Sequence, residues 1–189
     1  MLTYTPHRLH SFARTTAVLD QMGLNVVDAR LITSANGFSL ETYVVLEDSG
    51  AVIADADRIR EIERGLWRTL KQPEDSPLTV TRRAARQVRM FSTPTQVNFS
   101  VDSRNARTIL ELIAGDRPGL LSEVGKVFKT DRVAIHGAKI MTVGERAEDV
   151  FYVTDDDGQV LSEAACQRVQ ESLVRALDRR DPSRSSYAV

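Results

Sequence analysis

The chain repeats itself. Asp116-Arg117-Pro118-Gly119-Leu120-Leu121 leads into an apolar helical pattern in the second half, and Pro6-His7-Arg8-Leu9-His10-Ser11-Phe12 leads into a similar one in the first. A β-type stretch follows each, from Leu24 to Leu31 and from Val133 to Ile140. His7 and Asp116 are separated by about 109 residues, and Gly50 and Gly158 by nearly the same offset, so register is kept over roughly 65 residues in each half. Such a pattern restricts the chain to two copies of one small unit. Duplicated small units tend to share an interface, and that interface is the first place to look for function.

A length of 189 residues suits two small domains. With 27% charged residues and a net charge of −1, no global field draws the chain to nucleic acid or to a membrane surface, and neither is expected as a partner. No apolar run approaches the length of a membrane span, and the N-terminus lacks the form of a signal peptide. The one cysteine, Cys166, allows no internal disulfide, and the expected location is a reducing cytoplasm. Its neighbours Ala164, Ala165 and Val169 mark it as a packed helix residue.

Each repeat reads as strand, helix, strand, strand, helix. In the second, residues 107–114 form a strand, Gly115 and Asp116 turn the chain, and Pro118 suits the first helical turn. Leu120, Leu121, Val124, Val127 and Phe128 recur at helical spacing. In the next strand Val133 and Ile135 share a side, and Ala138 and Ile140 return to it after a three-residue step, which predicts a β-bulge. Leu24, Val26, Ala29 and Leu31 make the same step in the first repeat. Asp149 to Thr154 and Glu41 to Leu46 are the third strands. Gly158 and Gly50 mark the turns after them, before closing helices that carry Val169, Leu173 and Ala176, and Ile59, Ile62 and Leu66.

The expected fold is therefore α+β: two ferredoxin-like domains, each an antiparallel sheet with two helices on one face. A ferredoxin-like sheet needs a fourth strand beside the first. Residues 95–101 alternate as a strand, whereas the chain after Asp178 is polar, so the fourth strand is expected to precede the first in a permuted order. The alternative is that 95–101 closes the first domain. On the permuted reading the first repeat needs a strand before Met1, and the chain reads as a piece of a longer protein. The divisions are 1–71 for the first domain, 72–94 for a basic, Pro-containing linker, 95–178 for the second domain and 179–189 for a polar tail. Arg82, Arg83, Arg86 and Arg89 would share one face of the linker were it helical, as an anion or partner site or as a solvated face.

Gly115-Asp116-Arg117-Pro118-Gly119-Leu120-Leu121, the bulged strand and Gly158 resemble the ACT domain, a ferredoxin-like module that binds amino acids and regulates enzymes. The tandem order, the arginine-rich linker and the stretches 110–121 and 136–146 resemble more specifically the C-terminal tandem ACT domains of the bifunctional PII uridylyltransferase/uridylyl-removing enzyme family of bacterial nitrogen control. The resemblance implies a regulatory module that senses glutamine and controls uridylylation and deuridylylation of PII. It implies the parent's catalytic domains and PII protein as partners, with a homodimer open. It implies Mg²⁺ for those catalytic domains, a nucleotidyltransferase and a metal-dependent hydrolase, and no cofactor for this stretch. Whether the chain is itself an enzyme stays open, with no catalytic constellation found in it. Nucleotidyl transfer would need a carboxylate pair beside a phosphate-binding loop, and none is present. His7 and His10 lack an acid to complete a metal set. Asp155-Asp156-Asp157-Gly158 fails as a calcium loop, since Ala164 falls where a bidentate Glu belongs, and reads as a turn.

An amino-acid ligand presents an α-carboxylate suited to amides at a helix start and an α-ammonium suited to a carboxylate. Asp116, Arg117, Pro118, Gly119, Leu120 and Leu121 offer both, with Gly119 allowing close backbone approach. ACT domains often place an Asn facing the ligand at the start of the second strand. That position is Asn25 in the first repeat and Ala134 in the second. The first repeat has lost the loop pattern: His7 stands for Asp, and Leu9 and His10 stand for Pro and Gly after Arg8, so His7, Arg8, Leu9 and His10 form a degenerate second site. One composite site would combine Asp116 and Gly119 with Asn25. Two rivals stay open: an ACT sensor of another enzyme answering a different amino acid, and a ligand-free interaction or dimerisation module.

Overall fold

The computed structural model describes residues 1–6, 8, 11–34, 36–73, 76 and 93–178. His7, Leu9 and His10, the linker arginines and the tail 179–189 lie outside the described residues. The first repeat supplies β1 (Leu2–Pro6), α1 (Ser11–Gln21), β2 (Leu24–Thr33), β3 (Phe38–Glu47) and α2 (Ala56–Leu70). The second supplies β4 (Gln96–Asp102), β5 (Arg107–Gly115), α3 (Leu120–Thr130), β6 (Val133–Lys139), β7 (Thr142–Val143), β8 (Arg146–Asp155) and α4 (Glu163–Asp178).

All the strands join one antiparallel sheet in the order β1-β3-β2-β6-β8-β5-β4, with β7 paired to β8. Within the second repeat the order is that of a ferredoxin-like sheet whose fourth strand comes first in the chain. β4 pairs antiparallel with β5, Gln96 opposite Ile113 through Asp102 opposite Arg107. This settles the permuted order over the alternative in which 95–101 closes the first domain. The first repeat repeats the path as β1-β3-β2. Among the described residues no strand lies beside β1 in the place that β4 takes beside β5. A groove of about 1120 Å³ runs there between β1 and α2, and Leu2, Tyr4 and Trp67 are exposed on it.

The bulges fall where the hydrophobic period breaks. Register shifts between Val26 and Asp28 in β2 and between Ile135 and Gly137 in β6, related positions of the two repeats. The two bulged strands pair with each other, Asp28 opposite Lys139 through Arg30 opposite Gly137, and this seam fuses the repeats into one sheet. The Asp28 carboxylate accepts from the Lys139 ammonium at that register position. The bulge residue Val27 turns its carbonyl to the amide of Ile140 at 3.2 Å, extending the seam by one bond.

The helices lie in one layer, with α1 between α2 and α3 and with α4 beyond α3. α1 is buried nearly all round, as its place between sheet and two helices requires. Gly125 of α3 lets it approach α1 closely: a Cβ there would sit 2.8 Å from the Ala13 Cβ and 3.0 Å from its Cα. Beneath this crossing the cores merge. The Phe151 ring from the second repeat takes Phe12 of the first edge-on at 6.3 Å and Phe128 edge-on at 5.3 Å. Arg14, fully buried on α1, donates to the carbonyls of Thr69 at 2.6 Å and Pro73 at 3.1 Å, where α2 ends and its last carbonyls need donors. Asp155, read above as a turn, accepts from the amides of Asp157 and Gln159 at 3.0 and 2.8 Å and closes that turn on itself.

Candidate ligand-binding site

The loop before α3 is built by Pro and Gly. Gly119 has φ 85° and ψ −1°, and Leu120 donates its amide to the Arg117 carbonyl at 3.2 Å. Pro at the second place and a left-handed Gly at the third make a type II turn. Pro118 therefore lies before the helix rather than in its first turn, because the left-handed Gly119 breaks helical geometry between them. The first repeat keeps the bond: Ser11 donates to the Arg8 carbonyl at 3.2 Å.

Asp116 is held from the β7–β8 hairpin. Its amide donates to the Glu145 carbonyl at 2.9 Å, and its Oδ2 accepts from the Thr142 hydroxyl at 3.2 Å. The amide of Gly119 is not open to a ligand carboxylate. It donates to the Oδ2 of Asp20, from the last turn of α1. The expectation of free amides at this helix start is corrected at Gly119, where a carboxylate of the other repeat already sits, and at Leu120, whose amide closes the turn onto the Arg117 carbonyl. No side chain caps α3, so the amides of Leu121 and Ser122 remain donors without an intrahelical acceptor.

The loop and the first repeat enclose a cleft of about 400 Å³. Asp116, Arg117, Pro118, Leu120 and Leu121 line one wall, and Asn25 lies on the other with Asp20 and Asp48. Gly119, between Pro118 and Leu120, is buried in the same loop. The side-chain amide of Asn25 is exposed and donates to the Asp48 carbonyl at 3.4 Å. Ala134 is not part of this lining. It lies on β6 opposite Thr154 of β8, and because the β2–β6 seam is antiparallel, Ala134 and Asn25 flank its opposite ends. Of the degenerate second set, Arg8 is described, and its guanidinium donates to the carbonyls of Leu70 at 3.5 Å and Gln72 at 3.3 Å. Arg8 thus ties its loop to the end of α2.

Asp149, on β8, lies at the bottom of the cleft and was missed from sequence. It is 1% exposed, and burial, together with the charge of Asp116, pushes its carboxyl up to about 7, although the Met141 amide opposes the shift. The related acid of the first repeat, Glu41, is equally buried and accepts from the Tyr43 hydroxyl at 2.8 Å. A signal existed. Ala147, Phe151 and Val153 alternate inward, and an Asp among them breaks the apolar pattern, as Glu41 does between Ser39 and Tyr43. Asp20 and Thr142 carry no comparable mark, since only the fold brings them to the loop.

Bifunctional uridylyltransferase/uridylyl-removing enzymes align with nearly the whole chain. That of Pseudomonas putida (strain W619) is 45% identical over 92% of it, that of Stutzerimonas stutzeri (strain A1501) 44% over 98%, and that of Pseudomonas entomophila (strain L48) 43% over 97%. The chain is homologous to one part of the bifunctional uridylyltransferase/uridylyl-removing enzymes. It spans about a fifth of the length of these relatives, 20% of the first and 21% of the other two. No protein-family model matches the chain, and no solved structure matches it. The aligned stretch is, in this chain, a pair of ferredoxin-like repeats with the cleft between them.

Proposed function

We propose that this chain is the glutamine-sensing tandem ACT module of a uridylyltransferase/uridylyl-removing enzyme, with domains at 1–71 and 95–178 joined by 72–94. Glutamine binds in the cleft and biases the parent between uridylylation and deuridylylation of PII in the cytoplasm. The observation that carries the reading is the composite cleft, in which Asn25 of one repeat faces the Asp116 loop of the other. Asp116 receives the α-ammonium, the Leu121 and Ser122 amides of α3 receive the α-carboxylate, and Asn25 reads the side-chain amide with its own donor and acceptor. Metal chemistry belongs to catalytic domains outside this chain, where Mg²⁺ would serve. The ligand acts through differential affinity for two docking arrangements of the repeats.

The test is calorimetric titration of this chain with glutamine and with glutamate. Millimolar binding, roughly −4 kcal/mol, is expected for glutamine, and weaker binding for glutamate, whose extra carboxylate meets Asp20 and Asp48. One observation favours a second reading, a ligand-free interaction module: the Asp20 carboxylate already fills the Gly119 amide. Absence of heat with either amino acid, together with an unchanged response of the intact enzyme when this chain is deleted, would select that reading.

A further inference from the structure

Asp149 is a buried acid whose hydrogen bonding is incomplete. Its Oδ1 accepts from the Met141 amide at a long 3.4 Å, and its Oδ2 has no hydrogen-bond partner. An unmet buried oxygen is costly, so a donor from outside would be strongly favoured there. The first repeat gives the acid at the same position an internal donor at one of its two oxygens. Glu41 has the Tyr43 hydroxyl, while the residue two places beyond Asp149 is Phe151, which has no donor. The second repeat keeps the acid and lacks the hydroxyl, on the side of the sheet where the cleft opens. A small N–H donor fits better than a metal ion, because among the described residues no three acid, histidine or cysteine side chains gather as a metal site.

We infer that Asp149 receives the α-ammonium of the amino-acid ligand beside Asp116, and that it does so as a carboxylate, releasing its proton to solvent as the ligand binds. This rests on the amino-acid reading of the cleft. The balance is simple. The carboxylic acid O–H breaks and its proton passes to buffer, while the ammonium keeps its three protons and donates to Asp149 and Asp116. The groups around Asp149 come from every side of the cleft: Asp116 and Arg117 from the loop before α3, Asp20 from α1, Asp48 from beyond β3, and Thr142 from β7. Burial and Asp116 hold the carboxyl at about 7, so both forms are populated near neutrality and a cationic group selects the ionised one.

The experiment is titration with L-glutamine in phosphate and in Tris, buffers of different ionisation heat, at several pH values. At pH 7 the two heats should differ by the release of about half a proton per glutamine, and affinity should rise about tenfold from pH 6 to pH 8. D149N should bind more weakly, with no buffer dependence and a flat profile. Wild-type binding with equal heats in both buffers and no pH dependence would overturn the role of Asp149 and leave the amino-acid reading standing. No glutamine heat from wild type would overturn both. Should D149N fail to fold, the wild-type buffer comparison decides alone.

Discussion

Asp116 and Asp149 are two acids in one cleft with different physics. Asp116 is partly exposed and bonded to Thr142, so it can meet a ligand at little desolvation cost. Asp116→Ala should therefore weaken glutamine binding by about 1–3 kcal/mol through loss of a charge-assisted hydrogen bond, read by calorimetry. Asp149 is buried at the bottom of the cleft, and its effect is on folding as well. Its carboxyl moves from an ordinary 3.8 up to about 7 in the folded chain. Between those values the folded state holds more protons than the unfolded, so this contribution is full below about pH 4 and is lost as pH rises through 7. Urea midpoints should fall from pH 5 to pH 8 by the equivalent of roughly 2–4 kcal/mol in wild type, and by much less in D149N.

Among the elements, the α1–α3 crossing controls how the repeats dock. Gly125→Ala would add about 1 kcal/mol of helix propensity, yet its methyl meets Ala13, backbone included, at 2.8–3.1 Å. The clash should win, with a net loss of roughly 1–3 kcal/mol by thermal melting and weaker glutamine binding, since the same crossing sets the cleft. The turn is the second fixed element. Gly119→Val places a β-branched residue at φ 85°, which should cost about 1–2 kcal/mol of stability and displace the Asp20 contact. A melting temperature equal to wild type for Gly119→Val would show that the turn does not need its left-handed residue.

For the whole molecule, one continuous sheet joins the two repeats through the β2–β6 seam. The seam is short, from Asp28–Lys139 to Arg30–Gly137, while Phe12 and Phe151 cross it in the core. A ligand bridging Asn25 and the Asp116 loop would act across that seam, and a coupling of about 1–3 kcal/mol would change activity ratios several-fold to a hundredfold. Deleting this stretch from an intact parent enzyme should abolish the response of its transfer and removal rates to glutamine. A full response retained after deletion would place the sensor elsewhere.

Much of the fold was legible in the sequence alone. The offset between Asp116 and His7, the three-residue steps at Val26–Ala29 and Ile135–Ala138, and the alternation of 95–101 are local patterns, and they specified repeat, bulge and permuted strand because each reports backbone geometry at its own position. The Asp116 loop was legible as a turn for the same reason, whereas Asn25 was named only through the family resemblance. What tertiary structure alone decided is how distant groups meet. Asp20 reaching the Gly119 amide, Thr142 holding Asp116 and Gly125 closing on Ala13 depend on the packing of separate elements. Asp149 lies between the two cases. Its residue type was visible in an inward strand position, but the want of a donor beside its Oδ2 is a property of the space around it, which no local pattern encodes.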